Sequence, residues 1–344
     1  MAVSVRDVAE EAGVSVGTVS NVLNRPERVS PATVERVQAV IRRLGFVRND
    51  AARQLRAGRS RTIGLVVLDV RNPFFAEVAR GAEERADQHG LSVLIANSDE
   101  KQEREATHLD LFEEQRVSGV LLTPVSDVLP RLAQMRERGI PAVLVDRESP
   151  DPALASVAVD DVEGGRIAVE HLLVTGRRRL AFVGGPVALR QVSDRLSGAQ
   201  EAAAAAGAAI EFIATRALSV EEGRRAGDLI LARAPGERPD AVFAANDLLA
   251  LGVLQRLVMT GDARVPDDVA LIGYDDIGFA ASAVIPLSSV RQPAGLLGST
   301  AVDLLLRGAG GAPADDGGSG PHVLFRPELV ARTSTATGAA GRPV

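Results

Sequence analysis

The stretch VSVRDVAEEAGVSVGTVSNVLN, residues 3–24, carries the signals of two short helices meeting at a tight turn. Ser4 stands three residues before Asp7, the spacing at which a hydroxyl and an acid satisfy each other's backbone N–H groups at a helix start. Val8, Ala9 and Ala12 then form an apolar stripe, Gly13 closes the helix and Val14 fills the turn. Ser15 caps a second helix on which Val19, Val22 and Leu23 share a face while Thr18, Ser20 and Asn21 look elsewhere, and Pro26 stops it. Ser30 caps a third helix with Pro31 at its first position, and Val34, Val37, Ile41 and Leu44 keep helical spacing. Three helices in about forty residues, with a glycine in the first turn, describe a helix-turn-helix unit.

Working outward, NDAARQLRAG (residues 49–58) reads equally well as a short helix capped by Asn49 and as a linker, being too short and polar to be stable alone. From residue 62 the pattern becomes strand–helix alternation. TIGLVVLD, LSVLIANS, GVLLTP and PAVLVDR are apolar runs of the kind buried in parallel sheets, with amphipathic helices at 74–89, 101–116 and 128–138. After VAVD (157–160) a second series begins, with strands LAFVGG, EFIAT, AVFAAN and VALIGYD separated by helices near 162–175, 190–206, 219–233 and 247–260. The expected fold is an N-terminal all-α unit followed by an α/β core of two doubly wound parallel sheets. GAGGAPADDGGSG (308–320) reads as an exposed loop, VLFRPELVART as one final strand, and 333–344 as a disordered tail.

The chain of 344 residues, a length for two or three domains, is 46% hydrophobic and 24% charged, with no Cys and no Trp, and has enough apolar content for a real core. The lack of Cys removes disulfides and thiolate chemistry and fits a reducing compartment. No apolar run is long enough for a signal peptide or a membrane span, so a soluble cytoplasmic protein is expected. The net charge of -6 hides an asymmetry: residues 1–61 carry eleven Arg against six acids, +5, leaving -11 for the remainder. A basic head on an acidic body suggests that one piece meets a polyanion; a solvated basic face is the plain alternative.

Enzyme motifs are absent. GGP at 184–186 is no dinucleotide fingerprint, the single Lys101 belongs to no phosphate loop, and His89, His108, His171 and His322 are scattered. Neither catalysis, a cofactor nor a metal is expected. Polar residues instead recur at the carboxyl ends of strands in both halves: Asp69, Asp146 and Arg147, Asn246 and Asp247, and Asp275. Ligands of open α/β sheets sit beyond those ends, and carboxylates, Asn and Arg suit a hydroxyl-rich one. Phe74 offers an apolar face for a ring; helix capping is the competing explanation, strongest for Asp247 and Asp161.

VSVRDVAEEAGVSVGTVSNVLN, VSPATVERV, LGFVRNDAARQLRAGRS, TIGLVVLDVRNPFFAEVARGAEE, VLVDRE, DDVEGGRIAVEHLL, AVFAANDLLALGVL, VALIGYDDIGFA and SSVRQPAGLLGSTAVDLLL together resemble the LacI/GalR family of bacterial transcriptional repressors. The resemblance implies a helix-turn-helix DNA-binding domain (1–48), a hinge helix and linker (49–61) and a two-lobed periplasmic-binding-protein-like core (62–332). Lobe 1 would be 62–160 with 291–320, and lobe 2 would be 161–290 with 321–332. It places the second helix in the major groove, with Val16, Gly17 and Asn21 at base-reading positions and Thr18 and Ser20 near phosphates. Ser4, Asn24, Arg28 and Val29 complete that DNA-facing set. Hinge residues Asn49, Ala52, Arg53 and Leu55 would enter the minor groove of a palindromic operator bound by a homodimer, with Leu55 as a wedge. The effector positions it implies are Asp69, Asn72, Phe74, Asp146, Arg147, Arg195, Asn246, Asp275 and Gln292, with Phe182 a second candidate ring. A sugar is the implied effector. A purine or nucleoside sensor on the same scaffold, a sugar receptor without a transcriptional role, and a sugar- or nucleoside-metabolising enzyme are the alternatives.

Overall fold

The computed structural model describes residues 3–46, 60–309 and 322–336. The hinge set Asn49, Ala52, Arg53 and Leu55, most of the 308–320 loop and the chain beyond 336 lie outside the described residues. The chain divides into two units, residues 1–59 and 60–344.

The first unit is three helices: α1 (Val5–Glu11), α2 (Val16–Asn24) and α3 (Pro31–Leu44). Ser4 Oγ accepts from the Asp7 N–H and Asp7 Oδ2 accepts from the Ser4 N–H at 2.7 Å, the reciprocal cap expected of that spacing. Ser15 Oγ caps α2 at the Thr18 N–H, 3.0 Å. Ser30 does not cap α3 through its side chain; its hydroxyl donates to Thr33 Oγ1 at 2.9 Å. Gly13 (φ 62°) and Gly45 (φ 64°) end α1 and α3 in the left-handed region, where glycine has no Cβ to clash. Val8, Ala9, Ala12, Val19, Val22, Val37 and Val40 form the core between the helices.

The second unit holds two lobes, each built on a six-stranded sheet. Lobe 1 uses β1 (Thr62–Val67), β2 (Ser92–Asn97), β3 (Gly119–Leu122), β4 (Ala142–Val145), β5 (Ser156–Val159) and β11 (His322–Phe325). They are ordered β11-β5-β4-β3-β1-β2 and all pair parallel. Lobe 2 uses β6 (Arg179–Gly184), β7 (Ala209–Ala214), β8 (Ala241–Ala244), β9 (Ala270–Asp275), β10 (Ser288–Arg291) and β12 (Glu328–Val330). Their order is β12-β10-β9-β8-β6-β7, parallel except for β12 against β10.

The helices are α4 (Pro73–Gln88), α5 (Gln102–Glu114), α6 (Leu129–Glu137), α7 (Asp161–Val174), α8 (Arg190–Ala205), α9 (Val220–Leu231), α10 (Asp247–Thr260), α11 (Gly278–Ser282) and α12 (Ala294–Ala309). They follow the strands in the doubly wound manner. α12 returns to lobe 1 and packs on α4 so closely that a Cβ at Gly81 would lie 2.1 Å from the Gly295 carbonyl oxygen. Among the described residues, no helix is long and apolar enough to cross a membrane.

Three sequence expectations need correction. The run 323–333 is two strands in different sheets: β11 joins lobe 1, not lobe 2, and β12 joins lobe 2. Pro327 stands between them, and its missing N–H cannot continue a ladder. The tail assigned from 333 starts too early, because Ser334 and Thr335 are buried and Ser334 Oγ donates to Leu271 O at 2.6 Å. Phe182 is a core residue, fully buried and edge-on to Phe243 at 5.1 Å. In addition, SSVR (288–291) is a central strand that polar residues concealed; Ser288 and Ser289 are fully buried with their hydroxyls bonded.

Candidate functional site

Two surfaces carry the chemistry, one in each unit. On α2, burial of Val19 and Val22 turns the opposite side outward, where Val16, Gly17, Asn21 and Asn24 are exposed and Thr18 and Ser20 half-buried. Gly17 and Asn21 are one helical turn apart and so share a face. Thr18 Oγ1 meets Ser15 Oγ at 2.9 Å, and Asn24 Nδ2 donates to Ser20 O at 2.8 Å. Arg28 is exposed in the 3-10 turn Pro26–Arg28, whereas Val29 packs against the helical core and Ser4 is engaged as a cap. The sequence expectation thus places an exposed polar row on α2, with Ser4 and Val29 serving the fold.

Between the lobes lies a cavity of about 440 Å³ of empty space, open solvent at its mouth included. It is built at the carboxyl ends of β1, β4 and β9 and the start of α10. Seven of the nine expected residues line it: Asp69, Asn72, Phe74, Asp146, Arg195, Asn246 and Asp275. Gln292 stands behind Asp275, donating to its Oδ1 at 2.7 Å. Arg147 faces elsewhere; its Nη1 donates to Ser126 O at 3.1 Å and it lines a neighbouring cavity.

Local backbone explains the convergence. Asp146 (φ 58°), Asp275 (φ 99°) and Asp276 (φ 52°) turn through the left-handed region where β4 and β9 end. Such strain persists only where surrounding structure fixes it, and it aims the carboxyls into the cleft. Asn72 caps α4, accepting from Phe74 N–H at 3.1 Å, while its Nδ2 crosses to Asp275 Oδ2 of lobe 2 at 2.9 Å. Asn246 caps α10 in the same way at 2.9 Å. Capping and cavity lining therefore coexist in these two residues. Asp247 instead ties β10 to the turn after β9 through Ser289 Oγ and Ile277 N–H, at 2.7 and 2.8 Å.

Arg195 is buried with its Nε on Asp161 Oδ1 at 2.7 Å, its Nη1 on Ala245 O at 2.8 Å and its guanidinium 3.6 Å from the centre of the Tyr274 ring. Burial opposes its charge, but Asp161, Asp275 and Asp146 hold the guanidinium fully protonated. Burial, reinforced by Asp161 and Asp275, pushes the Asp146 carboxyl well up. Asp275 is pushed up to about 6 by burial, against the pull of Arg195, Asn72 and Gln292. Asp146 Oδ1, Gln191 Oε1 and Gln292 Oε1 are buried with no hydrogen-bond partner. The two amide oxygens are acceptors, and Asp146 Oδ1, on a carboxyl whose anion burial disfavours, can accept or donate, so the arrangement suits a guest rich in hydroxyls.

Sequence reading missed Gln191, Glu100, Phe75, Leu68, Leu189 and Leu218 in the cavity lining. Gln191 was findable, one helical turn before Arg195 on α8. Glu100 was not: it lies in a loop where only the left-handed turn at Asp99 (φ 54°) and Glu100 (φ 56°) directs it inward. Among the described residues no group of His, Cys, Asp and Glu is disposed to hold a metal ion.

A helix-turn-helix unit coupled in one chain to a two-lobed core of the periplasmic-binding-protein kind defines a class of DNA-binding regulator. The model for bacterial regulatory proteins of the lacI family matches residues 4–49, and that for a periplasmic binding protein-like domain matches 169–335. The HTH-type transcriptional regulator DegA of Bacillus subtilis (strain 168) is 32% identical over 342 residues, 98% of this chain and 99% of that protein. The ribose operon repressor of the same organism is 34% identical over 303 residues, 88% and 90% of the two chains. A crystal structure of the lac repressor dimer bound to operator and the anti-inducer ONPF superposes with a TM-score of 0.81 at 30% identity, covering 97% of this chain and 99% of that one. The chain belongs to the lacI family and is a DNA-binding transcriptional repressor.

Proposed function

We propose that this repressor controls a carbohydrate-utilisation operon, binding a palindromic operator as a homodimer with an affinity set by a sugar held between the lobes, a pentose foremost. Two partnerless oxygens at the cavity, Asp146 Oδ1 and Gln191 Oε1, carry the reading, because each hydroxyl of a polyol can both donate and accept. A purine or nucleoside base presents acceptors of its own, which this lining answers poorly: Arg195 already gives Nε and Nη1 to protein oxygens. Phe74 and Phe75, edge-on at 5.0 Å, supply the apolar side on which a sugar ring packs. The similarity to a ribose operon repressor favours a five-carbon sugar among polyols. Control then follows from linkage: a guest and an operator that prefer different lobe arrangements alter each other's affinity by the same factor.

The test is a thermal-shift screen across pentoses, hexoses and nucleosides, repeated with a palindromic duplex selected from a randomised pool. A pentose is expected to raise Tm and to change duplex affinity. A shift with nucleosides alone, or failure to enrich any palindrome, would overturn the reading.

A further inference from the structure

We propose that the interlobe cavity is a filter against anions, taking a free, uncharged sugar and rejecting its phosphate ester, and that Glu100 is the residue that sets this selectivity. The inference rests on the sugar reading above and narrows the ligand class.

Four carboxyl groups, Asp69, Glu100, Asp146 and Asp275, line the cavity against one guanidinium, that of Arg195. Three of the four are answered. Asp69 takes Arg71 Nε on both oxygens, at 2.8 and 3.0 Å. Asp275 takes Asn72 and Gln292, and Asp146 takes Gln191 Nε2 on Oδ2 at 3.0 Å. Glu100 has no cation of its own and lines the cavity together with Leu218 of lobe 2. The charges around it are Asp69 and Asp99, which repel its anion, and Arg71, which attracts it. Arg71 is bonded to Asp69 and Asp99, and Lys101 Nζ to Asp99 at 2.7 Å. Burial and the two neighbouring acids accordingly push the Glu100 carboxyl up to about 7.

A hydroxyl donating to Glu100 stabilises its anion at no electrostatic penalty. At pH 8 a phosphate brought to the same wall meets the Glu100 and Asp275 anions, and the one guanidinium lining the cavity is already bonded to Asp161. Rejection by an uncompensated charge is a recognised route to specificity. The second feature pointing to a guest is Asp146 Oδ1, a partnerless polar atom on a residue only 4% exposed, at the same cavity.

Isothermal titration of the full chain with ribose and with ribose 5-phosphate, wild type against E100Q, tests the filter. Wild type is expected to bind the ester about 100-fold more weakly than the sugar at pH 8, and E100Q to gain at least about tenfold in affinity for the ester. Between pH 6.5 and 8.5 the discrimination should widen more in wild type than in E100Q. Wild-type binding of the ester within threefold of ribose, or no gain of ester affinity in E100Q, overturns the proposal. Failure of wild type to bind ribose counts against the pentose reading alone, since the comparison of the two proteins with the ester still decides the filter.

Discussion

Gln191 on α8 of the second lobe donates through Nε2 to both the main-chain oxygen and Oδ2 of Asp146 in the first, at 2.9 and 3.0 Å. With Asn72 on Asp275 it forms a pair of polar straps across the cleft, each ending on a carboxylate at the tip of a strand. Gln191 Nε2 makes two hydrogen bonds, each contributing about 0.5–1.5 kcal/mol net, and a buried acceptor stripped of its donor carries its full desolvation cost. Gln191→Ala should therefore lower the unfolding free energy of the core by about 1.5–3 kcal/mol in urea. A loss under about 0.5 kcal/mol would show that the strap contributes nothing beyond a surface contact.

Arg195 is held more deeply than an effector ligand needs to be. It neutralises Asp161, bonds Ala245 O and stacks on Tyr274, with only 3% of its surface exposed. Removing one partner of a buried ion pair typically costs about 3–5 kcal/mol, because the other charge stays behind unpaired. Arg195→Ala should thus abolish the effector response and also lower the core's Tm sharply. Arg195→Lys, which keeps the charge, should recover part of that Tm but not the response. An Ala variant that melts like wild type and lacks only the response would assign Arg195 to the ligand alone.

Glu100 makes stability depend on pH in a direction opposite to most paired acids. Its folded value of about 7 lies above the ordinary 4.5, so the folded state disfavours the anion. The penalty vanishes below about pH 4, grows as pH rises from 4.5 to 7, and is complete above 7. E100Q removes it. The variant should match wild type near pH 4 and exceed it by about 1–3 kcal/mol at pH 8, measured by urea unfolding without added sugar. Asp275, pushed up in the same sense, is present in both proteins and cancels in the comparison. A difference between the two proteins that does not change with pH would remove Glu100 from the titration.

What the sequence made legible follows from periodicity and strand ends. The Ser4–Asp7 cap, the apolar stripes of α1 and α2, and the alternation from residue 62 are local patterns, and the structure repeats them. Asp69, Asp146, Asn246 and Asp275 were visible because a polar residue ending an apolar run marks the crevice of an open sheet. The rest depended on long-range facts. Gln191 joins the site through its bond to Asp146 of the opposite lobe and Glu100 by lining the cleft with residues of both lobes, which no spacing along the chain records. Arg147 stands beside Asp146 in sequence yet points away, since the left-handed turn at Asp146 sends successive side chains to different cavities. β10 was hidden because buried hydroxyls, when paired, look in sequence like a loop.

The DNA reading turns on separating base contacts from charge. Asn21 is exposed on α2, one turn from Gly17, and Ala at that position preserves the helix. Asn21→Ala should lower affinity for the selected palindrome by about 1–3 kcal/mol and leave random duplex unchanged. Arg28→Ala should instead weaken both duplexes and reduce the slope of log K against log salt by about one. The acidic whole chain should still bind more weakly as salt rises, because counterions are released locally at the basic unit. Leu55→Ala, in the segment 49–61 that the family resemblance makes a hinge, should follow the Asn21 pattern if the side chain wedges a base step, costing specific binding far more than non-specific. Fluorescence anisotropy on both duplexes at two salt concentrations distinguishes these cases. Equal losses on random DNA for Asn21 and Leu55 would reduce both residues to charge-neutral packing and leave operator choice to other positions.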